Sequence, residues 1–262
     1  MKKFGAYYIC LGAVMVAPAQ EAVTMVSNLG QTANASQSFG SAFGTHLSVA
    51  GSFRTGNTPG WLSAISLKFF GASHPNGGLT FCDVAFYSDA GGHPGGSLAT
   101  LSGPQFPLSP GTYTYTNSAP LLLSSNATYW VVASSPNSFN DASYYFALVP
   151  TTNTDAGSFW TMGEHQYKIG SDSWAVGPGY CQMSVAVLPQ PPSLSVSRGT
   201  GAQGNHIVLA YSTPDVPFTL QQNPDLAPAN WTNVTNSVAV TNNSLITVTV
   251  PAIEGRMFFR LH

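Results

Sequence analysis

Only 7% of the 262 residues are Asp, Glu, Lys or Arg, against roughly 25% in typical soluble proteins, and the formal net charge is −2. That balance excludes the basic footprint of a nucleic-acid binder, and so few Glu, Lys and Arg leave no window able to sustain a long amphipathic helix. With 26 Gly and 19 Pro separating short runs of Thr, Val, Tyr and Phe, the chain reads as all-β.

Lys2 and Lys3, the apolar run from Phe4 to Val16 and the triplet Ala17-Pro18-Ala19 have the order of a secretory signal peptide over 1–19, with its small-x-small cleavage site. The apolar run is too short to span a bilayer, and no second one follows, so no membrane insertion is expected after cleavage. Residues 20–46, rich in Ser, Asn, Gln and Ala, read as a flexible N-terminal entry with one edge strand around Ser36 to Phe39.

Ordered strands are expected from Leu47. In Leu62 to Phe70, Ile65, Leu67 and Phe69 alternate with Ser66 and Lys68, the pattern of a half-buried strand. Phe81 to Tyr87 follows a turn-rich loop, SHPNGG, and a second such loop, SDAGGHPGG, leads to a strand starting at Leu98. Thr112 to Thr116 alternates strictly. The stretch Leu121 to Ser134, LLLSSNATYWVVAS, is a turn between apolar runs, and its Thr128 to Ala133 half lacks polar alternation, as expected of a strand buried on both faces. Further strands are read at Ser143 to Val149, Ser158 to Thr161 and Tyr180 to Leu188. Pro189 to Ser193, PQPPS, is a stiff linker, and 194–262 holds six or seven short strands. The expected architecture is a jelly-roll-like β-sandwich over 47–188 and a smaller immunoglobulin- or fibronectin-like sandwich over 194–262.

Removing the leader leaves Cys82 and Cys181 in an oxidising compartment. Alternation puts Cys82 with Val84 and Phe86, and Cys181 with Met183, Val185 and Val187, so both thiols face inward. A Cys82–Cys181 disulfide is expected, the alternative being two buried thiols packed as small hydrophobes.

The order FRTG, WLSAISLKF, VAFYSDAGGHPGGSLATL and LLLSSNATYWVVAS, from Phe53 to Leu188, resembles the choice-of-anchor R domain of secreted bacterial proteins. The resemblance implies an extracellular all-β module carried by proteins that end in a surface-anchoring tail. The chain's ending, with FTLQQNPDLAPANW and MFFRLH, is instead similar to a small C-terminal β-domain.

Chemistry-bearing patterns are sparse. His74, Asp89 and His93 could hold a metal between adjacent loops, but each His precedes Pro in a Gly-rich turn and Asp89 suits a turn's first position. Nucleophile-elbow, phosphate-loop, dinucleotide and EF-hand patterns are absent, and no cofactor is expected. A glycosidase pair would have to come from Asp83, Asp89, Asp141, Asp155, Glu164 or Asp172. Tyr144, Tyr145, Trp160 and Trp174, spread through a polar stretch, are the candidate ligand-binding residues: rings of this kind stack on sugar C–H faces while Asn140, Asp141 or Asp172 bond the hydroxyls. The competing reading closes the sandwich's ends with them. The function expected is a secreted or surface-associated, non-catalytic protein with a structural or adhesive role, its alternative a carbohydrate-binding module whose partner is an extracellular polysaccharide or cell-surface component.

Overall fold

A computed structural model describes residues 21–42, 45–73, 81–135, 143–201, 204–235, 237–242, 245–251 and 256–262; the expected signal peptide lies outside them. The described chain is all-β and antiparallel, with one short 3-10 turn at Pro228–Asn230. Among these residues no helix is long and apolar enough to cross a membrane. The chain divides into two compact units, Glu21–Pro189 and Gln190–His262.

The larger unit contains β1 (Val23–Ser27), β2 (Ala35–Ala42), β3 (Thr45–Arg54), β4 (Gly60–Ser73), β5 (Asp83–Asp89), β6 (Pro94–Leu101), β7 (Gly111–Thr116), β8 (Leu122–Leu123), β9 (Thr128–Ser134), β10 (Ser143–Val149), β11 (Thr161–Ile169), β12 (Ala175–Val176), β13 (Tyr180–Cys181) and β14 (Met183–Pro189). All pair into one sheet that curls into a sandwich of two leaves. In the first leaf β4 lies between β14 and β7, with β1 beyond β14 and β10 continuing the ladder past Leu67. The second leaf runs β12-β11-β3-β9-β5-β6. The strand β2 belongs to both: its first part pairs with β10 and its end with β3, and Gly40 sits in both ladders at φ 120°, a conformation that L side chains rarely adopt. Reciprocal 2.8 Å backbone bonds between Ser102, just past β6, and Thr116 of β7 join the leaves again.

Alternation explains what fills the space between the leaves. Ile65, Leu67 and Phe69 of β4 are fully buried. Phe39 stacks on Tyr144 at 5.4 Å and tilts against Phe69, which meets Phe146 edge-on. Phe53 stacks on Trp160, centroids 5.8 Å apart and planes within 3°. Every residue of β9 from Tyr129 to Ala133 is buried, because Tyr129 packs on Phe53 and Phe86 inside while Trp130 and Val132 are covered outside by Tyr87 and Trp174. The turn before β9, with Asn126 at φ 55°, carries the chain from β8 on β4 to β9 on β3.

Several expectations need correction. The described residues of the expected flexible entry, 21–42 and 45–46, are tied into the sheet: β1 closes on β14, the strand expected around Ser36 to Phe39 is β2 but joins the two leaves instead of lying at an edge, and Met25, Val26 and Phe39 are fully buried. Polar groups hold this segment. Asn28, fully buried, donates to the Cys181 carbonyl (3.0 Å) and accepts from the Met183 N–H (2.7 Å), while the Gln182 amide donates to the carbonyls of Asn28, Leu29 and Gln31. Pro189 is no linker residue either; it is buried and ends β14 opposite Gly60. The strand expected at Ser158 to Thr161 begins only at Thr161 and runs to Ile169.

The Cys82–Cys181 disulfide is not formed: both are free, buried thiols. Both face inward, but Cys82 Sγ lies 3.7 Å from the Tyr115 hydroxyl, whereas Cys181 fills the space beside Gly51. A Cβ added at Gly51 would lie 2.7 Å from Cys181 Cβ and 3.2 Å from its sulfur. Gly51→Ala should therefore lower stability by about 1–3 kcal/mol, the usual cost of overpacking. Thermal melts should show no relief from Cys181→Ala, which keeps the offending Cβ, and a smaller penalty in a Cys181→Gly background.

In the smaller unit, β15 (Ser195–Gly201), β16 (Gly204–Ser212), β20 (Leu245–Pro251) and β19 (Val238–Asn242) form one sheet in that order, and β18 (Thr232–Asn233), β17 (Leu220–Asn223) and β21 (Phe258–Leu261) the other. Leu209, Tyr211, Val248 and Val250 of the first meet Leu220, Phe259 and Leu261 of the second, which makes this unit a small sandwich. Arg260 donates to Gln221 at 2.9 Å and lies 4.3 Å over the Trp231 ring.

Candidate functional site: a cleft on the second leaf

Strand register brings distant residues to one end of the second leaf. Arg54, the last residue of β3, pairs with Thr128 at the start of β9 on one side and with Thr161 at the start of β11 on the other; Asp89 ends β5, the strand beyond β9. Together with Trp130 and Glu164 these side chains line an open cleft of about 340 Å³. Arg54 and Glu164 are exposed, and Trp130 is buried in the cleft wall.

The acidic side chains are positioned by hydrogen bonds. Asp89 Oδ1 accepts from the Trp130 indole N–H at 2.7 Å, and Oδ2 from the Gly92 N–H at 3.1 Å. The fully buried Gln166 donates through Nε2 to the Gly92 carbonyl (2.7 Å) and to Glu164 Oε2 (3.2 Å). Its Oε1 faces His93 Nδ1 at 2.9 Å, so Nδ1 carries the donated proton. The turn expected at SDAGGHPGG is thereby anchored onto β11. Each bonded carboxylate oxygen keeps a further lone pair, and Arg54 adds a cationic fork.

Against the expected ligand platform, the structure returns a mixed placement. Tyr144 is fully buried and Trp160 is 2% exposed, so both are core rings and not sugar-stacking ones: Phe39 and Phe53, about a hundred residues away in sequence terms for each, cover them. Tyr145 is half-buried at a β-bulge in the β10–β4 ladder. Trp174 is half-buried over Ala50, Trp130 and Val132, with Lys168 Nζ 5.9 Å from its ring centroid. The four do not form one platform. Of the groups read as possible hydroxyl partners, Asn140 and Asp141 lie outside the described residues and Asp172 is exposed.

Of the possible metal set, His74 lies outside the described residues, and Asp89 and His93 are engaged as above. No group of three or more His, Cys, Asp or Glu gathers at metal-binding distance among the described residues. Burial pushes the Cys82 thiol up to about 12, with the Tyr115 hydrogen bond opposing, and raises Cys181 as well, so burial favours the protonated thiol at both positions. Burial also lowers His165, which is 1% exposed, and its Nδ1 contact with the Pro178 carbonyl opposes this only in part. Arg54, Thr128, Thr161 and Trp130 were not singled out by sequence; no local signal joins them, because they meet only through the pairing of β3 with β9 and β11. No family model, characterised protein or solved structure matches the chain.

Proposed function

We propose that the chain is a secreted or surface-associated, non-catalytic β-sandwich protein with an adhesive role, and that adhesion runs through the Arg54–Asp89–Glu164 cleft to the hydroxyls of extracellular carbohydrate. The observation that carries this reading is the cleft itself: two hydrogen-bonded carboxylates and a guanidinium line an open concavity whose wall also includes Phe53, Trp130 and Met162, and a few placed polar groups on a largely apolar wall are the arrangement that orients a polyhydroxylated ligand. The anchoring of Asp89 at both oxygens favours a binding role, since a general acid or base has to exchange its proton with the substrate. The resemblance to the choice-of-anchor R domain and the leader-like first 19 residues support an extracellular placement.

A glycan array tests the reading. The protein should be retained on at least one glycan class, and Arg54→Ala and Glu164→Gln should each abolish retention while leaving the thermal midpoint unchanged, because both side chains are exposed. Retention of nothing by the wild-type protein would leave only a structural role. Release of new reducing ends by the wild type, lost in Glu164→Gln, would move the assignment to a glycoside hydrolase.

A further inference from the structure

The cleft does not end at β11. A second open depression, of about 510 Å³, is lined by Gln31, Thr152, Asn153 and Thr154 together with Thr161 and Met162, and these last two also line the first. The two hollows thus adjoin at Thr161 and Met162, of which Thr161 is exposed and Met162 is buried. Their chemistry differs. The first is walled in part by Arg54, Asp89 and Glu164, the second by hydroxyl and amide side chains and Met162, with no charged group among its described lining residues.

The second hollow is a built feature. Its two loops, 27–31 and 151–158, are tied together by Asp155, which accepts from the Ser27 hydroxyl at 2.5 Å, the Gly30 N–H at 3.1 Å and the Gln31 amide at 3.2 Å. Reciprocal main-chain and side-chain contacts between Ser27, Asp155 and Ser158 complete the tie. Burial raises the Asp155 pKa, but these hydrogen bonds outweigh it and hold the carboxyl below its ordinary value. Gln31 is thereby fixed in the wall, while Thr152 and Asn153 remain exposed.

We propose that this depression is a second sugar subsite continuous with the first, so that the ligand is a linear polysaccharide bound across Thr161 along at least two consecutive units, with a neutral, hydroxyl-bearing unit in the second subsite. The inference rests on the carbohydrate reading of the cleft. Amides and hydroxyls without a charge suit neutral hydroxyls, which offer both donors and acceptors. A phosphate or carboxylate would meet no cation there and would face the nearby Asp155.

The probe is an array carrying linear series of one to six units of β-1,4-glucose, α-1,4-glucose, α-1,6-mannose and β-1,4-N-acetylglucosamine, read with the full chain. Within the retained series, affinity should rise roughly tenfold, about 1.4 kcal/mol, on lengthening from the shortest bound unit. Thr152→Ala/Asn153→Ala, both at exposed positions, should remove that gain while the shortest ligand still binds as before. Asn153→Trp, which fills the hollow, should do the same. Equal binding of short and long members, or a length gain that survives both variants, overturns the second subsite and leaves the first intact. Retention of no series by the wild type overturns both.

Discussion

Trp160→Ala is expected to lower unfolding stability by about 3–5 kcal/mol, the typical cost of emptying a large aromatic site, because the ring is 2% exposed and stacks on Phe53. Phe53 in turn touches Phe86 and Tyr129, so the cavity opens where the second leaf's inner rings converge and cannot collapse without moving them. Urea denaturation of the purified chain measures it. The same truncation at Trp174 should cost markedly less, since that ring is half-buried on the outer surface. Equal, small losses at both positions would show that Trp160 is not part of the core.

Asn28→Ala is expected to lose about 2–6 kcal/mol. Two buried main-chain groups, the Met183 N–H and the Cys181 carbonyl, depend on this amide, and each buried group left without a partner costs about 1–3 kcal/mol. Asn28→Asp is the informative companion: it keeps the acceptor for Met183 but replaces the donor to Cys181 with an oxygen and buries a charge, so it should be no better tolerated than alanine. A near-neutral result for Asn28→Ala would mean that water reaches these groups and that the β1 to β14 junction is open.

The parts of the fold legible in the sequence are those whose partners leave a periodic imprint. Ile65, Leu67 and Phe69 announce a strand with one buried face, and the unbroken Tyr129 to Ala133 run announces one with two. In 21–42 the strand around Ser36 to Phe39 is legible and the rest is not, because much of its hold on the sheet is polar: Asn28, and Gln182 from the far end of the unit, satisfy main-chain groups with side-chain amides, and these residue types equally suit a solvated tail. Alternation also gives direction without identity. It aims Cys82 and Cys181 inward, but whether they meet depends on Tyr115 and Gly51, which lie on other strands. The polar neighbours of Tyr144 and Trp160 suggested exposure for the same reason: what buries each ring comes from β2 or β3 and leaves no mark in the local sequence. The cleft is the extreme case, since Arg54, Asp89 and Glu164 sit on three strands whose adjacency is a property of the completed sheet.

The lock between Asn28 and Met183 spans 155 residues, and it bears on how quickly the larger unit can be finished. A chain emerging from a ribosome presents β1 before the rest of this unit, yet the strand that pairs with it is the last of the fourteen. Until β14 arrives, β1 has no strand partner, and the entropy of closing so long a loop precedes any reward from the contacts it makes. Refolding is therefore expected on the slow side of the millisecond-to-second range of β-rich domains, with the apolar side chains of β1, Met25 and Val26, among the last to be covered.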